Sequence, residues 1–162
     1  MAISAKQKND EPSISPEYRG PVALLGGENF VRVSLHSKVD VHKVLSRGLP
    51  RSALNRLITN TGMLRDRDFL QAAIGLSART SQRHKAALDV PLSTDQSGRA
   101  WKFAEILSKA TAVFGTQEAA ERWLAEPAVA LEQNRPIDLL STQTGTEQVE
   151  NLLVQLEYCV YI

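Results

Sequence analysis

Apolar residues at helical spacing, in short runs each closed by glycine or proline, constrain this 162-residue chain more than any other feature. "VDVHKVLSRGLPRSALNRLITNTG" shows the pattern twice. The first run stops near Gly48, which suits the left-handed turn after a helix. Pro50 stands where a first helical turn tolerates a missing N–H. The second run carries Leu54, Leu57 and Ile58 on one face and ends between Asn60 and Gly62. Punctuation this frequent builds short packed helices joined by short connections. The one good strand signal is "PVALLGGENFVRVSLHS". There Val31, Val33 and Leu35 alternate with Arg32, Ser34 and His36, downstream of a Gly26-Gly27 turn.

"DRDFLQAAIGLSARTSQRHKAALDV" holds a helix–turn–helix pattern. "DFLQAAI" makes a short amphipathic helix, Gly75 the tight turn, Leu76 a plug between two helices, and Ser77 a cap for "ARTSQRHKAAL". Beyond Pro91, Ser93 and Gln96 are spaced as a capping box. The helix they open keeps Phe103, Leu107, Ala110 and Phe114 in register to a stop at Gly115. Thr116 caps "QEAAERWLAEP". "RPIDLLSTQTG" predicts a helix from Pro136 to Gly145, and Thr146 is expected to cap the last one. Trp101, Phe103, Phe114 and Trp123 are assigned to the core of this second unit. The fold class is therefore mainly α: an N-terminal helix–turn–helix unit followed by a small helical domain. Residues 1–20 are expected as a disordered arm, 21–91 as the helix–turn–helix and dimerisation region, and 92–162 as the second domain.

The final helix carries Val149, Leu152, Leu153 and Leu156 on one stripe, then runs into Tyr158, Cys159, Val160, Tyr161 and Ile162. Chain ends usually fray into water. An apolar, aromatic end implies that the tail folds back on its own core or is received by a partner.

No run of about 18 apolar residues exists, so no membrane span is expected. The first residues lack the apolar segment of a secretory signal. Cys159 is the single cysteine and has no internal disulfide partner. A cytoplasmic protein is expected. Charge is divided unevenly. Lys38 to Lys85 holds ten Lys/Arg against three Asp/Glu, a net of +7, whereas Leu92 to Ile162 holds five against ten, a net of −5. Two units with different partners are one reading of this split, and ordinary solvated faces the other.

Chemistry-bearing motifs are lacking. His36, His42 and His84 have no Cys or second His at metal-ligand spacing. Cys159 has no basic neighbour in sequence to lower its thiol pKa. There is no phosphate-cradling glycine loop and no G-x-S-x-G elbow. Asp66/Asp68 and Glu118/Glu121 read as helix-start and surface charges. The expectation is a binding protein without catalytic residues, metal or cofactor. In a DNA-reading helix–turn–helix, the second helix enters the major groove with its N-terminal side chains on base edges. Arg79, Thr80, Gln82 and Arg83 would be those side chains, and Lys85 and Arg65 would contact phosphates. Ser81 falls where such motifs usually bury an aliphatic residue.

From Leu92 onward the chain resembles the toxin-binding domain of Xre/MbcA/ParS-type antitoxins. The resemblance rests on Leu92-Ser93, Val113-Phe114-Gly115, Ala120 with Trp123-Leu124, and Pro127 through Leu131. It continues with Arg135-Pro136-Ile137-Asp138-Leu139-Leu140, Thr142, Gly145, Val149-Glu150, Leu152-Leu153 and Glu157-Tyr158-Cys159-Val160-Tyr161. "GLPRSALNRL" and "GLSARTSQRHK" are similar to the family's helix–turn–helix half. Gln96 stands where the family often has Glu, "PAVAL" lacks an Asn after the proline, and Cys159 replaces a common glycine.

The resemblance implies the antitoxin of a type II toxin–antitoxin pair, with a RES-type, NAD-degrading toxin as partner and promoter DNA of its own operon as a second ligand. Tyr158, Val160, Tyr161 and Ile162 would then insert into the toxin and help close its NAD pocket. A homodimer is expected, because such motifs read two half-sites about a two-fold axis. "VRVSL", with no evident partner in the chain, would pair with its symmetry mate or pack at that interface. The alternatives are a stand-alone helix–turn–helix regulator whose C-terminal half oligomerises, and a purely structural helical module.

Overall fold

A computed structural model describes residues 13–27, 33–77, 79–80 and 90–160, with the backbone alone at 160. Eight α-helices stand among them: α1 Pro16–Leu24, α2 Lys38–Arg47, α3 Arg51–Asn60, α4 Arg67–Ile74, α5 Thr94–Phe114, α6 Gln117–Ala125, α7 Pro136–Leu139 and α8 Gln143–Val160. Short 3-10 turns lie at Gly62–Arg65 and Val129–Leu131.

The long α5 is the axis, and α1, α2, α4, α6 and α8 all pack on it. Its start is fixed by the capping box: the Ser93 hydroxyl accepts from the Gln96 N–H, and the Gln96 side chain accepts from the Ser93 N–H. Gly115 ends it in the left-handed conformation. Gly48 and Gly75 also take positive φ at the ends of α2 and α4. Pro50 is the cap residue of α3, one place before its first turn.

Four expectations are corrected. The arm expected over residues 1–20 overlaps α1, which begins at Pro16 and buries Tyr18 and Val22. Tyr18 lies 6.2 Å from Trp101, centroid to centroid. Polar composition around this segment concealed the few apolar side chains that α5 covers. Second, the strand signal has a partner inside the chain. Leu35 forms a parallel bridge with Ile14: its carbonyl accepts from the Ser15 N–H at 2.9 Å and its N–H donates to the Ser13 carbonyl at 3.0 Å. Val33 is exposed, and residues 31 and 32 lie outside the described residues.

Third, the helix opened by Pro136 ends at Leu139, and α8 already starts at Gln143. Gly145 is inside α8, not at a helix end. A Cβ there would collide with the Leu139 carbonyl, so glycine is required by the close approach of α7 and α8. Thr142, not Thr146, receives the Gly145 N–H at 3.1 Å, and the Thr146 hydroxyl donates back to the Thr142 carbonyl.

Fourth, Trp101 and Phe103 do not belong to a separate second core. One continuous apolar cluster runs from Ile14 to Leu153, and α5 supplies its centre. Polar joints reinforce this continuity. The Leu49 N–H donates to the buried Ser97 hydroxyl at 2.8 Å, and the Leu92 N–H to the Leu49 carbonyl at 2.8 Å. Glu121, expected as a surface charge, accepts from the Gly62 and Met63 N–H groups at 3.2 and 2.8 Å. A carboxylate there satisfies two donors that a helix start leaves without partners.

Candidate functional site

Two surfaces carry the side chains that sequence patterning points to. The first is the turn after α4. Asp66 caps α4 by accepting the Asp68 N–H at 2.8 Å. Gly75 reverses the chain with φ of 76°, and Leu76 is buried at 3% exposure. The Ser77 hydroxyl accepts the Thr80 N–H at 3.3 Å and pairs with the Thr80 hydroxyl at 2.9 Å. Residues 79 and 80 are helical, so the cap expected at Ser77 forms. Arg79 is exposed at the helix start. Thr80 is half-buried and its hydroxyl is engaged with Ser77. Gln82, Arg83 and Lys85 lie outside the described residues, as does Ser81. Arg65 is exposed and donates to the Thr59 carbonyl at 3.3 Å.

Sequence reading missed Arg99. From α5 its guanidinium reaches the end of α4, donating to the Ala72 carbonyl at 2.8 Å and the Ala73 carbonyl at 3.3 Å. A cation on the last carbonyls of a helix is favoured by the helix dipole. The contact needs a bare Gly75, since a Cβ at that position would meet the guanidinium. The turn of the motif is thus held from the second half of the chain. No sequence signal distinguishes Arg99 from a solvated arginine.

The second surface is the end of α8. Val149 and Leu153 are fully buried and Leu152 is packed against the core, so most of the expected stripe faces inward; Leu156 is half-buried. Ion pairs tie the helix to α5. Glu150 meets Lys102 at 3.2 Å and Lys109 at 3.4 Å, and Lys102 also meets Glu105 at 2.8 Å. Burial pulls the Lys102 pKa down, but the hydrogen bonds and charges of Glu105 and Glu150 outweigh it and leave the ammonium above its ordinary value. On the outer side, Val154 is 45% exposed and Tyr158, one turn later, is 70% exposed. Tyr158 extends the helix and points away from the core. Val154 was not anticipated, although its position off the buried stripe was the available signal. The side chain of Val160, with Tyr161 and Ile162, lies outside the described residues.

A groove of about 770 Å³ separates the first turns of α5 from the start of α8, with Arg99, Lys102 and Glu150 on its walls. The cations there are already engaged, Arg99 by carbonyls and Lys102 by carboxylates. Among the described residues no cluster of His, Cys, Asp and Glu could hold a metal, and no helix is long and apolar enough to cross a membrane.

These surfaces define a helix–turn–helix protein with a helical partner-binding half. Residues 40–105 match the antitoxin Xre-like helix-turn-helix domain, and residues 109–158 match the antitoxin Xre/MbcA/ParS C-terminal toxin-binding domain. The chain is 34% identical over 124 residues to the Antitoxin Xre of Pseudomonas putida, an alignment covering 75% of this chain and 74% of that protein. It is 32% identical over 130 residues to the Prs ADP-ribosylating antitoxin of a Sphingobium species, covering 75% and 80%. The Antitoxin Xre of Photorhabdus laumondii is 26% identical over 119 residues. The chain belongs to the Xre/MbcA/ParS antitoxin family. It is an Xre-type antitoxin, a neutralising protein and not an enzyme, with a toxin as its partner.

Proposed function

We propose that the protein neutralises a RES-type, NAD-degrading toxin by covering its active site with the end of α8, and represses its own operon by binding promoter DNA as a homodimer in the cytoplasm. The observation that carries the neutralising step is Tyr158. It is 70% exposed on a helix that Val149, Leu153 and the Glu150 ion pairs fix in place. A rigid helix presenting an exposed tyrosine suits a pocket, because ordering it on binding costs little and aromatic anchors dominate interface energies. Val154 extends the same outer side, and Val160, Tyr161 and Ile162 would continue the contact into the NAD pocket. The net charge of −5 from Leu92 to Ile162 fits a toxin whose site must attract an anionic dinucleotide.

DNA reading is assigned to Arg79, Thr80, Gln82 and Arg83, with Lys85 and Arg65 on phosphates. The exposed Arg79 at a capped helix start supports it. Thr80 is the weakest member, since Ser77 engages its hydroxyl. Deleting Tyr158 through Ile162 tests the neutralising step. The truncated protein should keep its melting temperature within a few degrees and still bind promoter DNA, while toxin activity on NAD returns. Protection that survives the deletion would refute insertion of the tail into the toxin.

A further inference from the structure

We infer that the outer face of α2 is a second nucleic-acid contact, a phosphate clamp separate from the reading helix; the inference rests on the DNA-binding reading above. Lys38, His42, Lys43 and Arg47 are all exposed on α2. None of the three cations forms an ion pair among the described residues. The single carboxylate of the helix, Asp40, is turned to its start. There it accepts the His36 N–H at 3.1 Å, the Ser37 N–H at 3.0 Å and the Ser37 hydroxyl at 2.9 Å. The inner side, with Val41 buried and Val44 and Leu45 packed on the core, leaves these cations only the outer half of the helix. The face therefore carries three cations against the one carboxylate of Asp40, which Lys43 feels only at longer range, and keeps a net positive field. A polyanion with evenly spaced charges is the ligand that such a field suits.

Position supports one duplex meeting both sites. The end of α2 is tied to Ser97 through Leu49, and the end of α4 is tied to Arg99. Residues 97 and 99 lie two apart on α5, so their side chains leave opposite sides of that helix. Packed helices stand about 8–10 Å apart, which puts α2 and α4 within roughly 20 Å of each other. One turn of duplex spans about 34 Å. One turn of duplex is therefore long enough to span the distance between α2 and α4. Phosphate contacts of this kind fix register and add affinity without reading sequence.

The test uses the full chain with Lys38→Gln, Lys43→Gln and Arg47→Gln together. Binding to a duplex carrying its own promoter, and to a scrambled duplex of equal length, is measured from low to moderate salt. Each phosphate contact contributes about 0.9 to the slope of log K against log salt, so the triple variant should lose about 2–3 of that slope. The ratio between promoter and scrambled duplex should not change. Lys43→Gln alone should lose about 1, which covers the case of a triple variant that folds poorly. An unchanged slope overturns the clamp while leaving the reading helix intact. A collapsed promoter preference also overturns it, since the face would then read bases. Weakened toxin neutralisation with unchanged DNA binding would assign the face to an acidic protein instead. A wild-type chain that binds neither duplex removes the DNA-binding reading itself.

Discussion

The cations on α2 and those on α5 make opposite use of the same chemistry. On α5, Lys102 and Lys109 meet Glu150, and Arg99 rests on the carbonyls of Ala72 and Ala73. In α7's approach, Arg135 grips Asp138 at 2.7 Å and lies 5.3 Å over the Phe69 ring. On α2, Lys38, Lys43 and Arg47 face outward with no ion pair among the described residues. Residues of one type thus hold helices together in one region and remain available in the other. A count of net charge misses this distinction, because it weighs a committed cation and an uncommitted one alike.

The comparison breaks most visibly if the basic region does not bind DNA. Arg79→Ala with Arg83→Ala should abolish specific promoter binding, each lost base contact costing about 1–3 kcal/mol, while neutralisation of the toxin is unchanged. Footprinting decides it, and a normal footprint from the double variant would remove this helix as the reader.

A smaller effect is expected where cations are committed. Glu150→Gln frees Lys109, leaves Lys102 with Glu105 alone, and should lower stability by about 0.5–1 kcal/mol, since the pairs are partly exposed. The Lys102 pKa is raised in the folded state, so its contribution is present below the ordinary value of 10.5 and fades only as pH rises through the folded value. The loss should therefore be the same at neutral and mildly alkaline pH. Urea titrations of both proteins check it, and a DNA-binding gain in Glu150→Gln would show that unpairing alone creates a polyanion site.

The smallest effect concerns the start of α2. Asp40 is held below its ordinary value of 3.8, first by the His36 N–H and then by Ser37. A lowered carboxylate pKa stabilises the fold above the unfolded value, and the gain disappears as pH falls through the folded one. Asp40→Asn should melt slightly earlier than wild type at neutral pH, and the two curves should converge on acidification below the usual aspartate range. Curves that stay apart in acid would assign the difference to packing.

The positions of the helix ends were legible because they are local. Gly48, Gly75, Gly115, the Ser93–Gln96 box and the Thr116 cap each act within one turn of chain, and all appear where spacing placed them. The same locality explains the expected stripe of α8 and the capping role of Ser77. Gly145 illustrates the limit. It reads as a helix end from sequence, yet it is required by the Leu139 carbonyl across a helix pair.

Periodicity, caps and side-chain types are properties of neighbouring residues, so the α-helical class, the helix–turn–helix and the family likeness of the second half can be read along the chain. The place of α1 in the body, the pairing of Leu35 with Ile14 and the single core through both halves emerge from the packed fold. It alone separated the committed cations, Arg99 among them, from the free-facing ones, and showed Glu121 to be a joint to the Gly62–Met63 turn. Those outcomes depend on contacts between residues far apart in the chain, and a hydrogen bond or ion pair of that kind leaves no mark in local spacing.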